Sequence, residues 1–430
     1  MLASAAQRFL GWFGLGSAAH KMRENAGNWL ELAEKVYHFR RDVLSAAQVA
    51  ELQSRAGELR TLVKERAGAE KTKLGIERLE EVLRRTGGAI YPKSALVENV
   101  EFFLVASIVI LGIRTYFVQP FKIPTNSMWP TYNGMTAEVW SDPAAAPNPM
   151  MKAVRFALFG ARHKEMVAPE SGTITVPVFP GSDRVFFEYK PARSWFIFPS
   201  RNREYTFWVN GQPTHVEVPE DFDFDTWAFR PGLGLAPGEL ERLSARAQRT
   251  VQGIPLVTLD RRAEKGQPFL SFDIITGDQL FVDRVSYHFV RPKVGQGFVF
   301  RTDHIHSPWM QDQRTGQQIE QYYIKRLVGT PGDTLEVREP VLYRNGQPIT
   351  GADAFAANAS REGKYAGYFA QQRLSPGQTV TVPPDSYFAM GDNSGNSADG
   401  RYWGFVPAKD VVGRPLFVYF PFTRHWGPAR

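Results

Sequence analysis

The amino-acid sequence predicts a mainly β protein that is preceded by a helical segment and a single membrane-spanning helix. Before residue 90, apolar positions recur among many charged residues, as they do in amphipathic helices. Between residues 102 and 113 there is no charged residue. After residue 130, short runs rich in Val, Phe and Tyr are separated by Gly, Pro and Asn, as in sheets whose strands are joined by turns.

The first 95 residues form the predicted helical segment. We predict one helix over residues 28–66 and a second over 74–85, followed by a helix-stop signal at Thr86-Gly87-Gly88. The two helices would form a hairpin. Residues 5–20 include a short apolar stretch, which we interpret as an interfacial helix. A cleaved signal peptide and a first membrane span are the alternatives for that stretch.

Residues 96–118 form the predicted membrane-spanning helix. The run approaches the ~20 apolar residues that a spanning helix needs, and its charged residues lie near its ends. A buried core helix is the alternative. Residues 1–97 contain 16 Lys and Arg against 11 Asp and Glu, and few basic residues follow the run closely. The positive-inside rule therefore predicts a cytoplasmic N-terminus and a C-terminal part on the outer face.

The part of the chain after residue 130 is predicted to be β-rich. Asn210-Gly211 and Asn345-Gly346 each lie between runs of β-forming residues, which is the strongest short hairpin signal. Residues 233–251 are the clearest candidate for a helix in this part. The chain has no cysteine, which excludes disulfides, thiolate nucleophiles and cysteine metal sites. Its net charge of +7 is explained by the membrane-flanking segment, so no nucleic-acid partner is predicted.

Ser127 stands between two prolines shortly after the apolar run, in the sequence FKIPTNSMWPTY. A serine hydroxyl is a poor nucleophile unless a base removes its proton, and no histidine is arranged to do so. A lysine can act as the base if burial lowers its pKa. Lys325, in the sequence YYIKRLVGTPGD, lies on an apolar strand and is the candidate. A lysine that protects an exposed strand edge is the alternative interpretation.

Four further blocks accompany this serine segment in a fixed order along the chain. They are GDQLFVDRVSY, YYIKRLVGTPGD, GDNSGNSADGRYWGFVP and VVGRPLFVYFP. With the serine segment, whose core reads S-M-x-P-T, they resemble the bacterial type I signal peptidases, or leader peptidases. These are membrane proteases that use a Ser–Lys dyad.

The resemblance implies a mainly β catalytic domain with the signal-peptidase-like fold, encoded in two pieces. Residues 119–132 would carry the nucleophile, and residues 277–430 would form the remainder. In the family these pieces are separated by only a few residues. Here residues 133–276 lie between them and are predicted to form a large inserted β-rich domain. Within the last block, Ser394 and Gly395 stand where the family often has Arg and Asp, and Gly400 where it has Ser.

The resemblance also implies roles for individual residues. Ser127 would be the nucleophile and Lys325 the general base. Thr125 would contribute a hydroxyl to the oxyanion hole beside the backbone N–H of Ser127. Ser397 would orient the lysine through a hydrogen bond. Structural residues near the site would be Asp392, Asp399 and Arg401, and the substrate pockets would be formed by Phe121, Ile123, Pro124, Met128, Tyr132, Tyr323 and Ile324.

The implied function is the removal of N-terminal signal peptides from exported preproteins. The protein would be a single-pass protein of the bacterial inner membrane, with its catalytic domain on the outer side. Its partners would be preproteins and membrane lipids, and no cofactor or metal is expected. Two alternatives remain at this point. One is a different Ser–Lys protease, such as a self-cleaving repressor, and the other is a catalytically silent, membrane-anchored scaffold protein with the same fold.

Overall fold

The computed structural model describes residues 18–93, 95–142, 145–194, 198–245, 247, 249–251, 253–312 and 316–429. Most of the predicted interfacial helix at 5–20 therefore lies outside the described residues. The α-helices are α1 Ala18–Arg40, α2 Ala46–Lys64, α3 Ala69–Thr86, α4 Ala95–Tyr116, α5 Pro149–Phe159, α6 Arg230–Leu233, α7 Glu239–Ser244, α8 Asp353–Ser360 and α9 Gly400–Trp403. The chain divides into two compact units between Ile110 and Leu111.

Before α4, the described residues form three helices, α1, α2 and α3, where a two-helix hairpin was predicted. The predicted helix at 28–66 is interrupted because Ser45 starts α2 with a capping box. Its hydroxyl accepts from the Gln48 N–H at 3.3 Å, and the Ser45 N–H donates to the Gln48 side chain at 2.9 Å. Such a box satisfies backbone donors that a continuous helix would not leave free. The apolar faces of α1, α2 and α3 bury a shared core around Val36, Leu59 and Leu79.

Helix α4 corresponds closely to the predicted membrane span. Its 22 residues have a mean hydropathy of 2.1 over the most apolar window, and none of that window is buried against protein. Large apolar side chains such as Phe103 and Ile108 are two-thirds exposed, at 67% and 70%. Among the described residues, this is the one helix long and apolar enough to cross a membrane. Its full exposure is unlike that of a buried core helix.

The remainder of the chain is mainly β, as predicted. Its strands are β1 Val118–Lys122, β2 Thr136–Val139, β3 Arg162–Val167, β4 Gly172–Pro177, β5 Glu188–Ser194, β6 Phe198–Val209, β7 Gln212–Pro219, β8 Arg249–Val251, β9 Ile254–Ala263, β10 Pro268–Ile275, β11 Gln279–Asp283, β12 Gly297–Arg301, β13 Tyr322–Gly329, β14 Thr334–Arg338, β15 Val341–Arg344, β16 Gln347–Pro348, β17 Thr379–Thr381, β18 Ser386–Met390, β19 Val406–Pro407, β20 Val411–Phe420 and β21 Gly427–Pro428.

An eight-stranded sheet carries the residues that the sequence singled out. Its order is β1-β11-β20-β12-β13-β18-β19, and β21 also pairs with β20. Strand β1 is at one end of this order and pairs only with β11, from Val118 opposite Asp283 to Lys122 opposite Gln279. Strand β13 pairs with β12 over its first half and gains β18 as a second neighbour from Arg326 onward. A smaller four-stranded sheet, β16-β15-β14-β17, packs its apolar side chains around Leu335 and Phe388.

Residues 133–276, here called the intervening segment, contain two sheets of their own. One has six strands and the other has three, and both consist wholly of strands from this segment. Their side chains share a core in which Phe207, Phe222 and Phe272 are fully buried. The two ends of the segment meet: the Asn133 N–H donates to Asp278 Oδ2 at 2.7 Å, and the Asp278 N–H donates to the Asn133 carbonyl at 2.8 Å.

Both predicted hairpins are confirmed, and the predicted helix at 233–251 is wrong in extent. Asn210-Gly211 joins β6 to β7 and Asn345-Gly346 joins β15 to β16, with positive φ at all four residues as a tight hairpin turn requires. In the region of the predicted helix, α7 covers six residues and β8 begins at Arg249. Gly234 and Gly238 adopt left-handed conformations of 62° and 74° in φ, which delay the start of α7.

Candidate active site

Ser127 lies in a tight loop that follows edge strand β1. The buried side chain of Asn126 holds this loop against the start of the intervening segment. Its Nδ2 donates to the Met135 carbonyl at 2.7 Å, and its Oδ1 accepts from the Gly134 N–H at 2.9 Å. The Ile123 N–H donates to the Asp278 carbonyl at 2.9 Å and extends the β1–β11 pairing toward the serine. These bonds fix the backbone on both sides of Ser127.

A second set of hydrogen bonds joins the Ser127 loop to the block at 391–407. The Asn393 N–H donates to the Ser127 carbonyl at 3.1 Å, and Asn393 Nδ2 donates to the Asn126 carbonyl at 3.0 Å. Asn393 was not singled out from the sequence. Its residue type could have indicated this role, because the backbone N–H and the side-chain amide of an asparagine can donate to two neighbouring carbonyl groups.

Lys325 lies at the point where β13 has one free edge, and its side chain reaches the serine. Lys325 Nζ is 2.5 Å from Ser127 Oγ, although 198 residues separate the two in sequence. Lys325 is 5% exposed and lies opposite Phe298 of β12. Its ammonium nitrogen is 5.4 Å from the centre of the Tyr323 ring, which is two residues back on the same face of the strand.

The environment of Lys325 makes its ammonium group easier to deprotonate. Burial lowers the pKa of Lys325 to about 8, because a desolvated ammonium is disfavoured. The charges of Asp399 and Asp392 act in the opposite direction, and that of Arg401 adds to the lowering. Among the described residues, no carboxylate forms an ion pair with Lys325 within 4.0 Å. The lysine can therefore lose its proton near neutral pH, as a general base must.

Arg326 points to the other face of β13 and, unlike Lys325, is paired with a carboxylate. Its Nε and Nη2 donate to the two oxygens of Asp392 at 2.7 and 2.6 Å, and both side chains are buried. Nη1 donates to the Gly295 carbonyl at 2.6 Å. Burial opposes the charge on Arg326, but the Asp392 carboxylate holds its pKa above the ordinary value. Asp392 was expected near the site as a structural residue, and the sequence analysis missed Arg326 as its partner.

Asp399 and Arg401 form a fully buried ion pair beside the site. Arg401 Nη2 is 2.8 Å from Asp399 Oδ2, and the same carboxylate oxygen accepts from the Gly391 N–H at 3.0 Å. Ser394 takes part in this group, since its Oγ accepts from Arg401 Nη1 at 2.9 Å and its carbonyl from Nη2 at 2.7 Å. The serine at a position where the family often has arginine thus contributes two acceptors to Arg401.

Thr125 lies at the cleft and Ser397 lies beside it, and the contacts of Ser397 differ from the expectation. Thr125 is exposed and lines the cleft next to Ser127. Ser397 is 6% exposed, and its Oγ has no hydrogen-bond partner among the described residues. The hydrogen bond from Ser397 to Lys325 that the resemblance implies is therefore not formed in this structure. Ser397 packs instead beside Gly391, where a Cβ would come within 2.2 Å of its Oγ.

The dyad opens into a cleft with a volume of about 770 Å³. Five of the seven predicted pocket residues line it: Phe121, Ile123, Pro124, Tyr323 and Ile324. Met128 and Tyr132 do not line the cleft, which corrects the prediction for these two. The turn that follows the serine is closed by the Tyr132 N–H donating to the Met128 carbonyl at 3.0 Å. It directs both side chains into the core beside Leu280, where they are 0% and 1% exposed.

The intervening segment also contributes to the cleft. Four of its charged residues line it: Arg184, Arg203, Asp221 and Asp223. The sequence did not predict this wall, because the residues lie more than fifty positions from either half of the dyad. Among the described residues, no group of three or more His, Asp and Glu side chains could hold a metal ion.

Comparisons with known proteins identify relatives for part of the chain. Residues 271–420 match a family model described as signal peptidase, peptidase S26. A probable signal peptidase I-1 from Synechocystis sp. is 38% identical over 151 residues, which are 35% of this chain and 66% of the relative. A signal peptidase I from Leptolyngbya laminosa is 31% identical over 34% of this chain and 62% of the relative. The chain thus spans just under two thirds of the length of these relatives.

A solved structure of a signal peptidase I from Enterococcus faecalis V583 also matches. It is 31% identical and covers 29% of this chain and 97% of that chain, with a TM-score of 0.20. The class defined by the matched region is that of the S26 signal peptidases. Within that class, the curated relatives that match this chain are named signal peptidase I.

Proposed function

We propose that this protein is a membrane-anchored serine endopeptidase that removes N-terminal signal peptides from exported preproteins. The observation that carries the proposal is the contact of 2.5 Å between Lys325 Nζ and Ser127 Oγ, in a cleft where burial lowers the pKa of the lysine to about 8. A hydroxyl and a neutral amine at this distance form the minimal pair for nucleophilic catalysis by serine. The match of residues 271–420 to the S26 family model and the similarity to signal peptidases suggest the class of substrate.

In the proposed reaction, Ser127 Oγ attacks the carbonyl carbon of the scissile peptide bond and its proton passes to Lys325 Nζ. The negative charge that develops on the carbonyl oxygen is stabilised by the Ser127 N–H and the Thr125 hydroxyl. The Lys325 ammonium then gives its proton to the leaving amine, and the C–N bond breaks. Water attacks the acyl-enzyme while the neutral amine of Lys325 accepts a proton from it. The Ser127 oxygen leaves and regains its proton from the lysine.

The substrate would bind as an added strand between two free edges. Strand β1 pairs with β11 alone, so its other edge and the segment that leads from it to Ser127 face the cleft. Residues 322–325 of β13 pair only with β12, because β18 begins to pair at Arg326. Free backbone donors and acceptors on both sides fit an extended peptide. Phe121, Ile123 and Ile324 would provide the shallow apolar contacts for small side chains before the bond that is cleaved.

We also propose that α4 anchors the protein in the bacterial inner membrane, with a cytoplasmic N-terminus and the cleft on the outer face. The intervening segment would be a domain inserted into the catalytic domain. Support comes from the exposed apolar surface of α4, from the basic residues before it, and from the meeting of Asn133 with Asp278. Protease added to spheroplasts should cut loops after residue 118 and spare residues 30–85. The reverse pattern would contradict the orientation.

The deciding experiment is cleavage of a preprotein by the purified full-length protein in detergent micelles. Wild type should release a signal peptide and yield one new N-terminus, identified by sequencing the product. Ser127→Ala should be inactive while keeping its folded circular-dichroism spectrum, and Ser286→Ala, outside the cleft, serves as a matched control with normal cleavage. Absence of cleavage by the folded wild type, together with retained binding of preprotein, would favour the catalytically silent scaffold instead.

A further inference from the structure

The loop that follows β7 presents two acidic residues to the cleft. Its sequence, EDFDFD at residues 220–225, alternates acidic and aromatic side chains. Phe222 and Phe224 are fully buried in the core of the intervening segment. Asp221 and Asp223 lie on either side of the buried Phe222, and both line the cleft. The aromatic anchors thus determine where these two carboxylates lie.

The position of this loop is fixed independently of any ligand. Arg201 forms two hydrogen bonds with the Glu220 carboxylate, at 3.0 and 2.7 Å, and the Glu220 N–H donates to the Arg201 carbonyl at 3.3 Å. Further along, the buried Asp225 accepts from the Val185 N–H at 3.0 Å. A loop tied down at both ends can hold a recognition group in a constant place.

Asp221 has no partner of its own in this position. Among the described residues, none forms a hydrogen bond or an ion pair with its carboxylate. Asp221 is exposed at the cleft, where partial desolvation raises the pKa of its carboxyl and the charge of Glu220 adds to the rise, while Arg203, Lys122 and Arg201 oppose it. The same carboxylate charge acts on Lys122 at one side of the cleft and on Tyr323 at the other. Asp221 therefore faces the space between the two strand edges.

From these observations we infer that Asp221 is a specificity-determining residue, which selects substrates with a basic or amide side chain about three to five residues before the cleaved bond. This inference rests on the proposed function. Tyr323 is two residues from Lys325, or about 7 Å along a strand. Where an extended substrate passes Tyr323, it is therefore about two residues before the bond that is cleaved. Asp221 would contact substrate residues further from that bond than the two that fill the first pockets. A basic side chain of the substrate would form a charge-assisted hydrogen bond with this cleft carboxylate, which has no ion-pair partner among the described residues.

The preference can be measured with three peptide sets that differ only in carrying Lys, Gln or Glu at the third, fourth or fifth position before the cleavage site. At one of these positions, full-length wild type should cleave the Lys peptide with a kcat/KM about 10-fold above that of the Glu peptide, as expected for a charge-assisted hydrogen bond. Asp221→Asn should bring the ratio close to one, and Asp221→Lys should invert it. Asp260→Asn, an exposed change on β9 outside the cleft, should leave the ratio unchanged.

Two further measurements separate this inference from the proposed function. In the Ser127→Ala background, fluorescence anisotropy should show tighter binding of the labelled Lys peptide, and this difference should vanish in Ser127→Ala/Asp221→Asn. Raising the salt from about 0.05 to 0.5 M should reduce the preference, since the Debye length shortens severalfold. Efficient cleavage with the same Lys-to-Glu ratio in wild type and Asp221→Asn would overturn the role of Asp221 alone. No cleavage of any peptide by wild type would overturn the proposed function.

Discussion

The two faces of strand β13 show how one backbone can hold two neighbouring cations in opposite states. On one face, Lys325 is buried without an ion pair and lies 2.5 Å from Ser127 Oγ. On the other, Arg326 is equally buried and makes two hydrogen bonds with Asp392. Burial disfavours both charges, and only the second is compensated by a carboxylate. A strand that alternates its side chains thus places the proposed general base and a structural ion pair on opposite faces, at neighbouring residues.

The largest effect is expected when Lys325 is replaced by an arginine, the residue type that stands on the other face of β13. Lys325→Arg keeps a cation but removes the ability to release a proton, because a guanidinium stays protonated in proteins. We expect preprotein cleavage to fall by at least about 10³-fold, to the level of Ser127→Ala. Initial rates with purified full-length variants measure this. Lys325→His could retain a trace of activity, and turnover by Lys325→Arg comparable to that of wild type would refute a general-base role.

On the structural face, removal of the cation should cost stability. Arg326→Met leaves the Asp392 carboxylate buried and without its partner, so we expect a loss of about 3–5 kcal/mol in the free energy of unfolding. Urea unfolding of the full-length protein in micelles, followed by near-ultraviolet circular dichroism, measures the change. Arg338→Met is the matched control: it removes an exposed pair with Glu336 and should cost less than about 1 kcal/mol. Equal losses in the two variants would mean that burial is not the cause.

Replacing Lys325 by Met should instead increase the free energy of unfolding. The pKa of Lys325 is about 8 in the folded protein and 10.5 ordinarily, so the unfolded chain binds more protons between these pH values. Stability then rises with pH in that range, and below pH 8 the lysine destabilises the fold by about 3 kcal/mol. Lys325→Met should stabilise the protein by about this amount at pH 7, with a gain that shrinks toward pH 10. Unfolding curves at several pH values test this, and a destabilised Lys325→Met at pH 7 contradicts it.

The smallest effect is expected at Ser397, whose hydroxyl is buried near the reactive face. We propose that it helps to position Lys325 during the reaction, although the hydrogen bond is not formed here. Ser397→Ala should lower kcat by about 10-fold with little change in KM, which corresponds to one hydrogen bond to a charged group. Steady-state kinetics on a peptide substrate give both constants. An unchanged kcat accompanied by higher stability would instead identify Ser397 as an unsatisfied polar group with no positioning role.

Much of the site could be predicted because its residues occur in blocks with a recognisable order. Ser127, Thr125 and Lys325 line the cleft where the resemblance implies. The Arg326–Asp392 pair was accessible in principle, since alternation along β13 requires Arg326 to face away from Lys325. The burial of Met128 and Tyr132 was not, because it depends on how one turn directs its side chains into a core formed by distant strands.

The fold was predictable to a similar degree. The β-rich texture and both Asn-Gly hairpins could be recognised from local patterns, because they depend on neighbouring residues only. The capping box at Ser45 and Gln48 was also a local signal, and overlooking it led to the prediction of one long helix. The wall that the intervening segment adds to the cleft could not be predicted, because the position of Asp221 at the cleft depends on the tertiary packing of that segment.

The meeting of Asn133 and Asp278 has a consequence for the order in which the protein folds. The dyad joins residues 198 positions apart, and such distant contacts are slow to form. Once the intervening segment has folded and its two ends have met, only the 6 positions from Ser127 to Asn133 and the 47 from Asp278 to Lys325 remain to be closed. The shorter loop lowers the entropic cost of closure by about 1 kcal/mol. A segment that lies outside the catalytic blocks would thereby act as an internal folding aid, and protease activity would appear only after that segment is complete.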